Sequence, residues 1–323
     1  MGIKPADNQV IAQAAELLRR GALVAIPTET VYGLGGDATN DEAVAAIFAA
    51  KGRPQFNPLI VHDASFEAME RYVEFSTQAT KLGRHFWPGA LTLVLPRKEN
   101  CGLSLLVSAG LKTVAVRVPA APVSLAILEK ANVPVAAPSA NFSGTISPTT
   151  AAHVEKSLGS NVDLIVDDGT CDLGLESSIV GFSGLGPVLM RPGAISAEEI
   201  EGVLEQPLIR YAHNSKKPQS PGQLPSHYAP RAQLRLNAME AQDNEALLGF
   251  GPDMPATDNL SVNLSQSGNL NQAAARLFSA LHELDQSGVE KIAVMPVPHT
   301  GLGEAINDRL TRAAAPRELD TVI

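Results

Sequence analysis

The sequence predicts a two-domain α/β protein. The chain has 323 residues, and a single domain usually has about 100–200. Short apolar runs, typical of strands, alternate with helical patterns and with one another, which favours a large mixed sheet over a regular βαβ repeat. Between residues 207 and 231 this periodicity disappears. We therefore expect a larger domain over residues 1–207, a linker over 208–231 and a smaller α/β domain over 232–323.

The first elements are predicted by spacing and by turn residues. Apolar residues at helical spacing from Asp7 to Arg20 predict a helix that Asp7 caps and Gly21 ends. The run Leu23–Ile26 predicts a strand. The polar, glycine-bearing stretch Thr28–Asp37 predicts a turn that leads to a second helix over residues 44–48.

The remaining elements follow from the same two patterns. In the larger domain we expect strands at Leu59–His62, Leu91–Leu95, Val114–Val118, Val133–Ala137, Leu164–Val166, Ile179–Phe182 and Val188–Met190. Helices are expected around Ala64–Glu74, Pro122–Ala131 and Thr149–Leu158. In the smaller domain we expect strands at Leu234–Leu236, Ala246–Phe250 and Ile292–Met295, and a helix from the apolar stripe of Leu270–Leu284.

Charge and cysteine usage exclude several classes of protein. The net charge of −9 and the pI near 5.3 argue against a protein whose main task is to neutralise a nucleic-acid backbone. Cys101 and Cys171 form no C-x-x-C pair, so we expect free thiols and neither zinc nor a disulfide. The first ten residues contain no apolar signal segment, and no run reaches the ~18–20 apolar residues of a membrane span. We expect a cytoplasmic protein.

The segment PTETVYGLGG at Pro27–Gly36 combines three glycines with three hydroxyl-bearing side chains. The glycines allow the backbone to come close to a ligand, and the hydroxyls of Thr28, Thr30 and Tyr32 can face the same space. The segment lacks both the Walker A lysine and a complete G-x-G-x-x-G. An ordinary turn therefore stays open as the alternative.

Two cations lie at the end of the second predicted helix. Gly52 is placed to cap this helix after Lys51, and Pro54 stiffens the backbone after Arg53. Lys51 could simply complement the helix dipole, which is worth about 0.3–1 kcal/mol. The planar guanidinium of Arg53 suits a phosphate, and such charge-assisted hydrogen bonds contribute about 1.5–3 kcal/mol each when sheltered from water. The pair favours an anion site.

Two more polar clusters follow predicted strands. Ala137–Asn141 reads APSAN and continues to hydroxyls as far as Ser147, at the strand end where α/β proteins usually bind ligands. Glu176–Ser178 is followed by Arg191–Gly193, in which proline and glycine stiffen another strand-end arginine. A surface loop would have a similar composition, so each cluster alone is weak evidence.

Together these motifs resemble one family. PTETVYGLG, KGRPxxNPLIVH, VRVP, APSAN, ESSIV and MRPGAI, in this order, resemble the YrdC/Sua5 family of L-threonylcarbamoyladenylate synthases, over about Asp7–Glu205. SHYAP at Ser226–Pro230 and the segment Gly301–Leu310 are similar to the longer Sua5 type. The resemblance implies a YrdC-like domain with a large twisted mixed sheet flanked by helices, and a smaller Rossmann-like α/β C-terminal domain.

The resemblance also implies a reaction. L-threonine and bicarbonate would form N-carboxythreonine, which attacks the α-phosphorus of ATP to give threonylcarbamoyl-AMP and pyrophosphate. This would be the first step of N6-threonylcarbamoyladenosine (t6A) formation at position 37 of tRNAs that read ANN codons, with other proteins completing the transfer. Mg²⁺ would accompany the ATP phosphates, and its protein ligands stay open. A weak contact with tRNA is compatible with this role.

The family's site residues can be carried over to matching positions. Threonine would contact Thr30, His62, Arg117, the backbone of Ala137, and Ser177, although the neighbouring Ser178 is an alternative. ATP would contact Arg53, Asn57, Thr113, Ser139, Ser147, Arg191 and Tyr228. The catalytic cations would be Lys51, Arg53 and Arg191. Thr113 and Arg117 are four apart on one predicted strand, so we expect them on the same face.

Several alternatives stay open. An RNA-binding or ribosome-associated factor is the main one outside enzymes, and the net charge weighs against it. A carbamoyl-transferring relative, such as the YrdC-like module of hydrogenase maturation factors, is the other, although the chain lacks its zinc-finger cysteines. His62 is expected to be a hydrogen-bonding residue rather than a base. SHYAP is either part of a plain tether or a lid over the nucleotide, and the lid is favoured.

Overall fold

The computed structural model describes residues 2–210, 220–222 and 224–316. Residues 211–219 and 223 of the expected linker, and residues 317–323 of the expected C-terminal domain, lie outside the described residues. The described chain forms two sheets, one of eleven strands and one of four, with helices against both. The α/β class predicted from the sequence is confirmed.

The large sheet mixes parallel and antiparallel pairs and has the order β1-β8-β2-β3-β7-β4-β6-β5-β9-β10-β11. Its strands are β1 (Ile3–Pro5), β2 (Val24–Ile26), β3 (Gly33–Asp37), β4 (Ile60–His62), β5 (Leu91–Pro96), β6 (Thr113–Arg117), β7 (Val135–Ala136), β8 (Leu164–Asp167), β9 (Ser178–Ser183), β10 (Gly186–Arg191) and β11 (Ile209–Arg210). The small sheet is all parallel, in the order β12-β15-β13-β14. Its strands are β12 (Gln233–Arg235), β13 (Glu245–Gly249), β14 (Ser261–Asn263) and β15 (Lys291–Val294).

The described helices are α1 (Asn8–Arg19), α2 (Asp41–Lys51), α3 (Phe66–Met69), α4 (Thr77–Phe86), α5 (Pro122–Ala131), α6 (Ala151–Leu158), α7 (Ala197–Leu204), α8 (Leu270–Gln286) and α9 (Leu302–Ala314). The caps expected at the first two helices are present. The Asp7 carboxylate accepts a hydrogen bond from the Val10 amide at 2.7 Å. Gly52 ends α2 with a left-handed φ of 56°.

Two predicted elements differ from the structure. Residues 33–37, expected within a turn, form the buried strand β3. A Cβ added at Gly35 would come within 2.9 Å of both Ile26 and Val135, so glycine at this position allows three strands to pack closely. The helix expected over residues 64–74 is only the four-residue α3. β1, β11 and β14 were not predicted, because they have only two or three residues each. The helices α4 and α7 were also not predicted, although both are amphipathic and each has a serine N-cap.

Helices cover the two faces of the large sheet. α1 and α5 pack on one face, with Leu18 and Ile127 in a common core cluster. α2, α4, α6 and α7 pack on the other face in the largest cluster of the molecule. The face covered by α1 and α5 also includes β4, β6 and β7. This part of the face is covered by the segment after residue 220. That part of the sheet carries the site described below.

The four-stranded domain packs against the larger one. Val31, Leu175 and Tyr228 share a hydrophobic cluster with Phe278 and the other apolar side chains of α8. A Cβ at Gly174 would lie 2.3 Å from the Ala275 carbonyl oxygen, so the loop before Leu175 lies directly on the α8 backbone. Within the described residues, no helix is both long and apolar enough to cross a membrane.

Candidate active site

A cavity lies over strands β4, β6 and β7. Many of the residues named from the motifs line it: Thr30, Arg53, His62, Arg117, Ala137, Ser139, Ser177, Arg191 and Tyr228. The cavity therefore collects residues from seven separate motifs.

Arg117 lies at one end of the cavity, held by three fixed contacts. Its Nε donates to the Gly89 carbonyl at 3.0 Å, its Nη1 to Thr30 Oγ1 at 3.0 Å, and its Nη2 to Glu29 Oε1 at 2.6 Å. Burial alone would raise the pKa of Glu29, but the charge and hydrogen bond of Arg117 outweigh it and the pKa is lowered. Glu29 is therefore ionised, and Arg117 has one orientation before any ligand arrives.

His62 lies beside Arg117, because the two residues are direct partners in the parallel pairing of β4 with β6. Burial and the neighbouring charge of Arg117 lower the pKa of His62 to about 3. Its Nδ1 has no hydrogen-bond partner within the described chain. A neutral imidazole whose Nδ1 is buried without a partner among the described residues thus borders the cavity.

Arg53 and Arg191 form the cationic end of the cavity. Arg53 Nε donates to the Asn57 carbonyl at 3.1 Å, and Arg191 Nη2 donates to the Ser177 carbonyl at 2.8 Å. Burial lowers the pKa of Arg53 to about 9, and burial also lowers that of Arg191. Arg53 keeps its proton at neutral pH, so this end holds a buried positive charge.

Lys51 is buried but does not line the cavity. Its Nζ donates to the Ser139 carbonyl at 2.6 Å and to the Asn141 carbonyl at 2.5 Å. Burial, followed by the charge of Arg53, lowers its pKa well below the usual range. The structure places Lys51 behind the APSAN loop, where it holds the loop that presents Ser139.

Three other residues named from the resemblance lie outside the cavity lining. Asn57 is fully buried beside Arg53, and neither amide atom has a partner among the described residues. Ser147 Oγ donates to Glu176 Oε1 at 2.5 Å. Thr113 lies four residues before Arg117 on β6, about 13 Å along the strand.

The segment after residue 220 roofs the cavity. Gly222 has a left-handed φ of 82°, and a Cβ there would lie 2.8 Å from Tyr228 Oη and 2.9 Å from Arg191 Cδ. The amide of Ala229 donates to the Gly144 carbonyl at 2.9 Å. The roof thus touches both Arg191 and the loop after APSAN.

Comparison with known proteins identifies the family. Residues 16–193 match the Sua5_yciO_yrdC family model, described as telomere recombination, and residues 195–315 match the threonylcarbamoyl-AMP synthase C-terminal domain. The chain belongs to the Sua5/YrdC family. The family predicted from the motifs is therefore confirmed, including its longer, two-domain type.

Relatives of this Sua5-family chain match it along most of its length. Threonylcarbamoyl-AMP synthase of Bacillus subtilis strain 168 is 41% identical over 96% of this chain and 94% of the relative. The Pyrococcus abyssi synthase is 39% identical, with 94% of each chain covered. The crystal structure of P. abyssi Sua5 complexed with L-threonine superposes with a TM-score of 0.88 at 37% identity, over 97% of this chain and 96% of that one. The predicted combination of a YrdC-like and a Sua5-type domain is confirmed.

In this Sua5-family chain, two titratable residues that line the cavity had no role predicted from the sequence. Glu176 was part of a noted cluster but received no role, and His227 precedes the tyrosine that was singled out. The His227 ring packs on Tyr228 with centroids 4.0 Å apart. Burial and the surrounding cations lower its pKa well below the usual range, so it is neutral. Glu176 belongs to the ESSIV motif and His227 to SHYAP, and these two motifs were the signal that could have identified them.

The lining of this Sua5-family cavity offers no ready metal cage. Within the described residues, no group of three or more histidine, cysteine, aspartate or glutamate side chains could hold a metal ion. Glu176 is the acidic side chain among the described lining residues, and it is already bonded to Ser147 and Arg309.

Proposed function

We propose that this chain binds ATP and L-threonine together in the cavity and, with bicarbonate, converts them to threonylcarbamoyl-AMP and pyrophosphate. The observation that carries the proposal is the division of one cavity into two ends. Arg117 is fixed at one end, and the buried Arg53 and Arg191 form the other. An amino acid carboxylate suits the first end, and a nucleotide phosphate suits the second.

The threonine end is built for a small zwitterion. Arg117 supplies a preoriented guanidinium for the carboxylate, and the Thr30 hydroxyl accepts a hydrogen bond from it. Ser177 lines the cavity whereas Ser178 donates to the Ile195 carbonyl, which favours Ser177 as the contact. The neutral His62 can accept a hydrogen bond from the substrate without adding charge.

The ATP end combines buried cations with polar side chains. Arg53 and Arg191 would contact the phosphates, and Ser139 and Tyr228 line the same space. Asn57 would contribute its unpaired amide after a small shift. Ser147 would keep its hydrogen bond to Glu176 and accept one from the nucleotide. The role of Thr113 stays a prediction that rests on the family resemblance.

In the proposed reaction bicarbonate takes up a proton and loses water to give carbon dioxide, and the neutral threonine amine adds to this carbon and releases a proton to water. One oxygen of the new carboxylate then bonds to the α-phosphorus, and the bond from this phosphorus to the pyrophosphate oxygen breaks. The enzyme orients the reactants and stabilises charge, which is the task of Arg53 and Arg191. Mg²⁺ enters with the ATP phosphates as part of the substrate.

The roof supports the lid interpretation of SHYAP. Tyr228 is 1% exposed and closes the cavity together with Gly222. Because the product is a mixed anhydride that water hydrolyses, a closed cavity would protect it until release. In the cell, the product would pass in the cytoplasm to the proteins that complete t6A on tRNA.

Pyrophosphate release tests the proposal directly. Wild-type enzyme is assayed with MgATP, L-threonine and bicarbonate, with each omitted in turn, and the adenylate is detected by mass. We expect release only with all three present, and a large rise in the threonine KM in Arg117→Lys. ATP turnover indifferent to threonine would contradict the proposal. Salt-sensitive RNA binding without turnover would instead favour the RNA-binding alternative.

A further inference from the structure

We propose that Arg309, on helix α9 of the C-terminal domain, is a positioning residue of the nucleotide site. It holds Glu176 and the Tyr228 roof in place across the domain interface. This inference rests on the proposed function, and it assigns a role in the reaction to the C-terminal domain.

A buried chain of hydrogen bonds links Arg309 through Glu176 to Ser147. Arg309 is 0% exposed, and its Nε donates to Glu176 Oε2 at 2.8 Å. Its Nη1 donates to Asp308 Oδ2 at 2.7 Å. The other oxygen of Glu176 accepts the hydrogen bond from Ser147. Arg309 therefore fixes the carboxylate that orients a hydroxyl proposed to contact ATP.

Arg309 and its helix also contact the roof of the cavity. The Arg309 guanidinium carbon lies 5.0 Å from the centroid of the Tyr228 ring, within the range of a cation–π contact. The same helix holds the roof backbone at two positions just before this tyrosine. Arg312 Nη1 donates to the Leu224 carbonyl at 2.7 Å, and the His227 amide donates to the Arg312 carbonyl at 3.2 Å.

A role limited to domain packing would not need these partners. Both residues that Arg309 holds, Glu176 and Tyr228, line the cavity. Burial is the main cause of the lowered pKa of Arg191, and the positive charge of Arg309 lowers it further. The charge of Arg309 therefore acts on a residue that lines the cavity. A buried arginine also carries a large desolvation cost, and leaving its partner unpaired is costly. Loss of Arg309 should therefore disturb nucleotide binding more than threonine binding.

The test compares Arg309→Met with a matched control, Arg235→Met. Arg235 pairs with Glu245 at 2.5 Å in the same domain, and neither residue lines the cavity. Dissociation constants for ATP and for L-threonine are measured by calorimetry beside pyrophosphate-release kinetics. For Arg309→Met we expect about a tenfold weaker ATP affinity and a threonine affinity within about twofold of wild type. The control should leave both affinities unchanged.

Two further variants keep the test decisive if Arg309→Met does not fold. Arg309→Lys should recover part of the ATP affinity. Glu176→Gln replaces one of the two acceptor oxygens by an amide donor and removes the charge that faces Arg309, so it should reproduce the ATP-selective loss. Equal losses for ATP and threonine, or ATP affinity unchanged in all three variants, would overturn the inference. Such a result leaves the proposed function intact, whereas wild-type enzyme without threonine-dependent pyrophosphate release would overturn that function.

Discussion

Arg117 and Glu29 form an ion pair of 2.6 Å in which their side chains are only 4% and 10% exposed. Arg117 also bonds to Thr30 and Gly89, so its position is set by three neighbours. The second oxygen of Glu29 accepts a hydrogen bond from the Ala121 amide at 3.4 Å. Glu29 therefore fixes the orientation of Arg117, the proposed partner of the threonine carboxylate.

Glu29→Ala should cost about 3–5 kcal/mol of unfolding free energy, because it leaves a buried arginine unpaired. Glu29→Gln keeps the acceptor oxygen and should lose less stability, while both variants should raise the threonine KM. Denaturant unfolding and initial rates at varied threonine measure the two effects. An unchanged threonine KM in Glu29→Ala would show that Arg117 needs no such support.

His62→Gln should keep most of kcat. With its pKa lowered to about 3, His62 is a poor base for an ammonium group in the ligand-free protein, whereas glutamine can replace a hydrogen-bonding imidazole. The measurement is kcat at saturating threonine from pH 6 to 9. A large loss of kcat that high pH does not restore would instead identify His62 with proton transfer.

Lys51→Met should destabilise the protein by about 1–3 kcal/mol, because the carbonyls of Ser139 and Asn141 lose a buried donor. The displaced APSAN loop should also weaken ATP binding. Thermal unfolding and the ATP KM are measured together. If kcat falls sharply while stability and KM stay at wild-type values, Lys51 acts on the reacting phosphates instead.

Gly222→Ala should raise the ATP KM. A left-handed φ costs a non-glycine residue about 1–2 kcal/mol, and the added methyl would also meet Tyr228 and Arg191. Gly110→Ala is the control, since Gly110 also has a positive φ but has open space around its Cβ position.

Deletion of Ser226–Pro230 should raise the ATP KM and also speed hydrolysis of the product. If the deletion changes neither the ATP KM nor hydrolysis, the lid is wrong.

Acid should loosen the domain interface through His153 and His282. The two rings stack with centroids 3.8 Å apart, and burial lowers the pKa of each to about 4. Lys156 and Asp285 are the other charges that act on His282. Because the unfolded histidines bind protons first, this stability is complete above about pH 6.5 and is lost as the pH falls towards 4.

His282→Gln should therefore flatten the dependence of unfolding free energy on pH. A depressed histidine contributes a slope of at most about 1.4 kcal/mol per pH unit. Glutamine keeps a donor for the Ser147 carbonyl, which His282 Nε2 reaches at 3.2 Å. Unfolding is measured between pH 5 and 7 against His85→Gln, on α4, as control. Identical slopes in wild type and His282→Gln would rule out this pair as the source.

Much of the fold was predictable because local signals agreed with tertiary packing. α5 (Pro122–Ala131) matches its predicted bounds, since proline opens it and a buried apolar stripe continues to Ala131. β3 was not predictable in this way, because Gly33–Asp37 has no strand pattern. Its place is set by close packing between β2 and β7, which only the folded chain reveals.

The candidate site was predictable where a motif carries a charged or hydroxyl side chain, as at Arg53, Arg117 and Ser177. Lys51 shows the limit, because a lysine beside a predicted anion site can bond to backbone carbonyls behind it. Arg309 shows another, since its partner Glu176 lies 133 residues earlier. Such long-range pairing leaves no local pattern.

The contact between Glu176 and Arg309 also sets the order in which the working cavity is assembled during synthesis. Domains generally fold as units, the N-terminal one first, while the rest of the chain is still being made. The residues around Arg117 can be in place once the large sheet has formed, whereas Glu176 lacks its Arg309 partner until α9 has been made. A nascent chain halted before residue 309 would therefore lack the contact that we propose positions the nucleotide site.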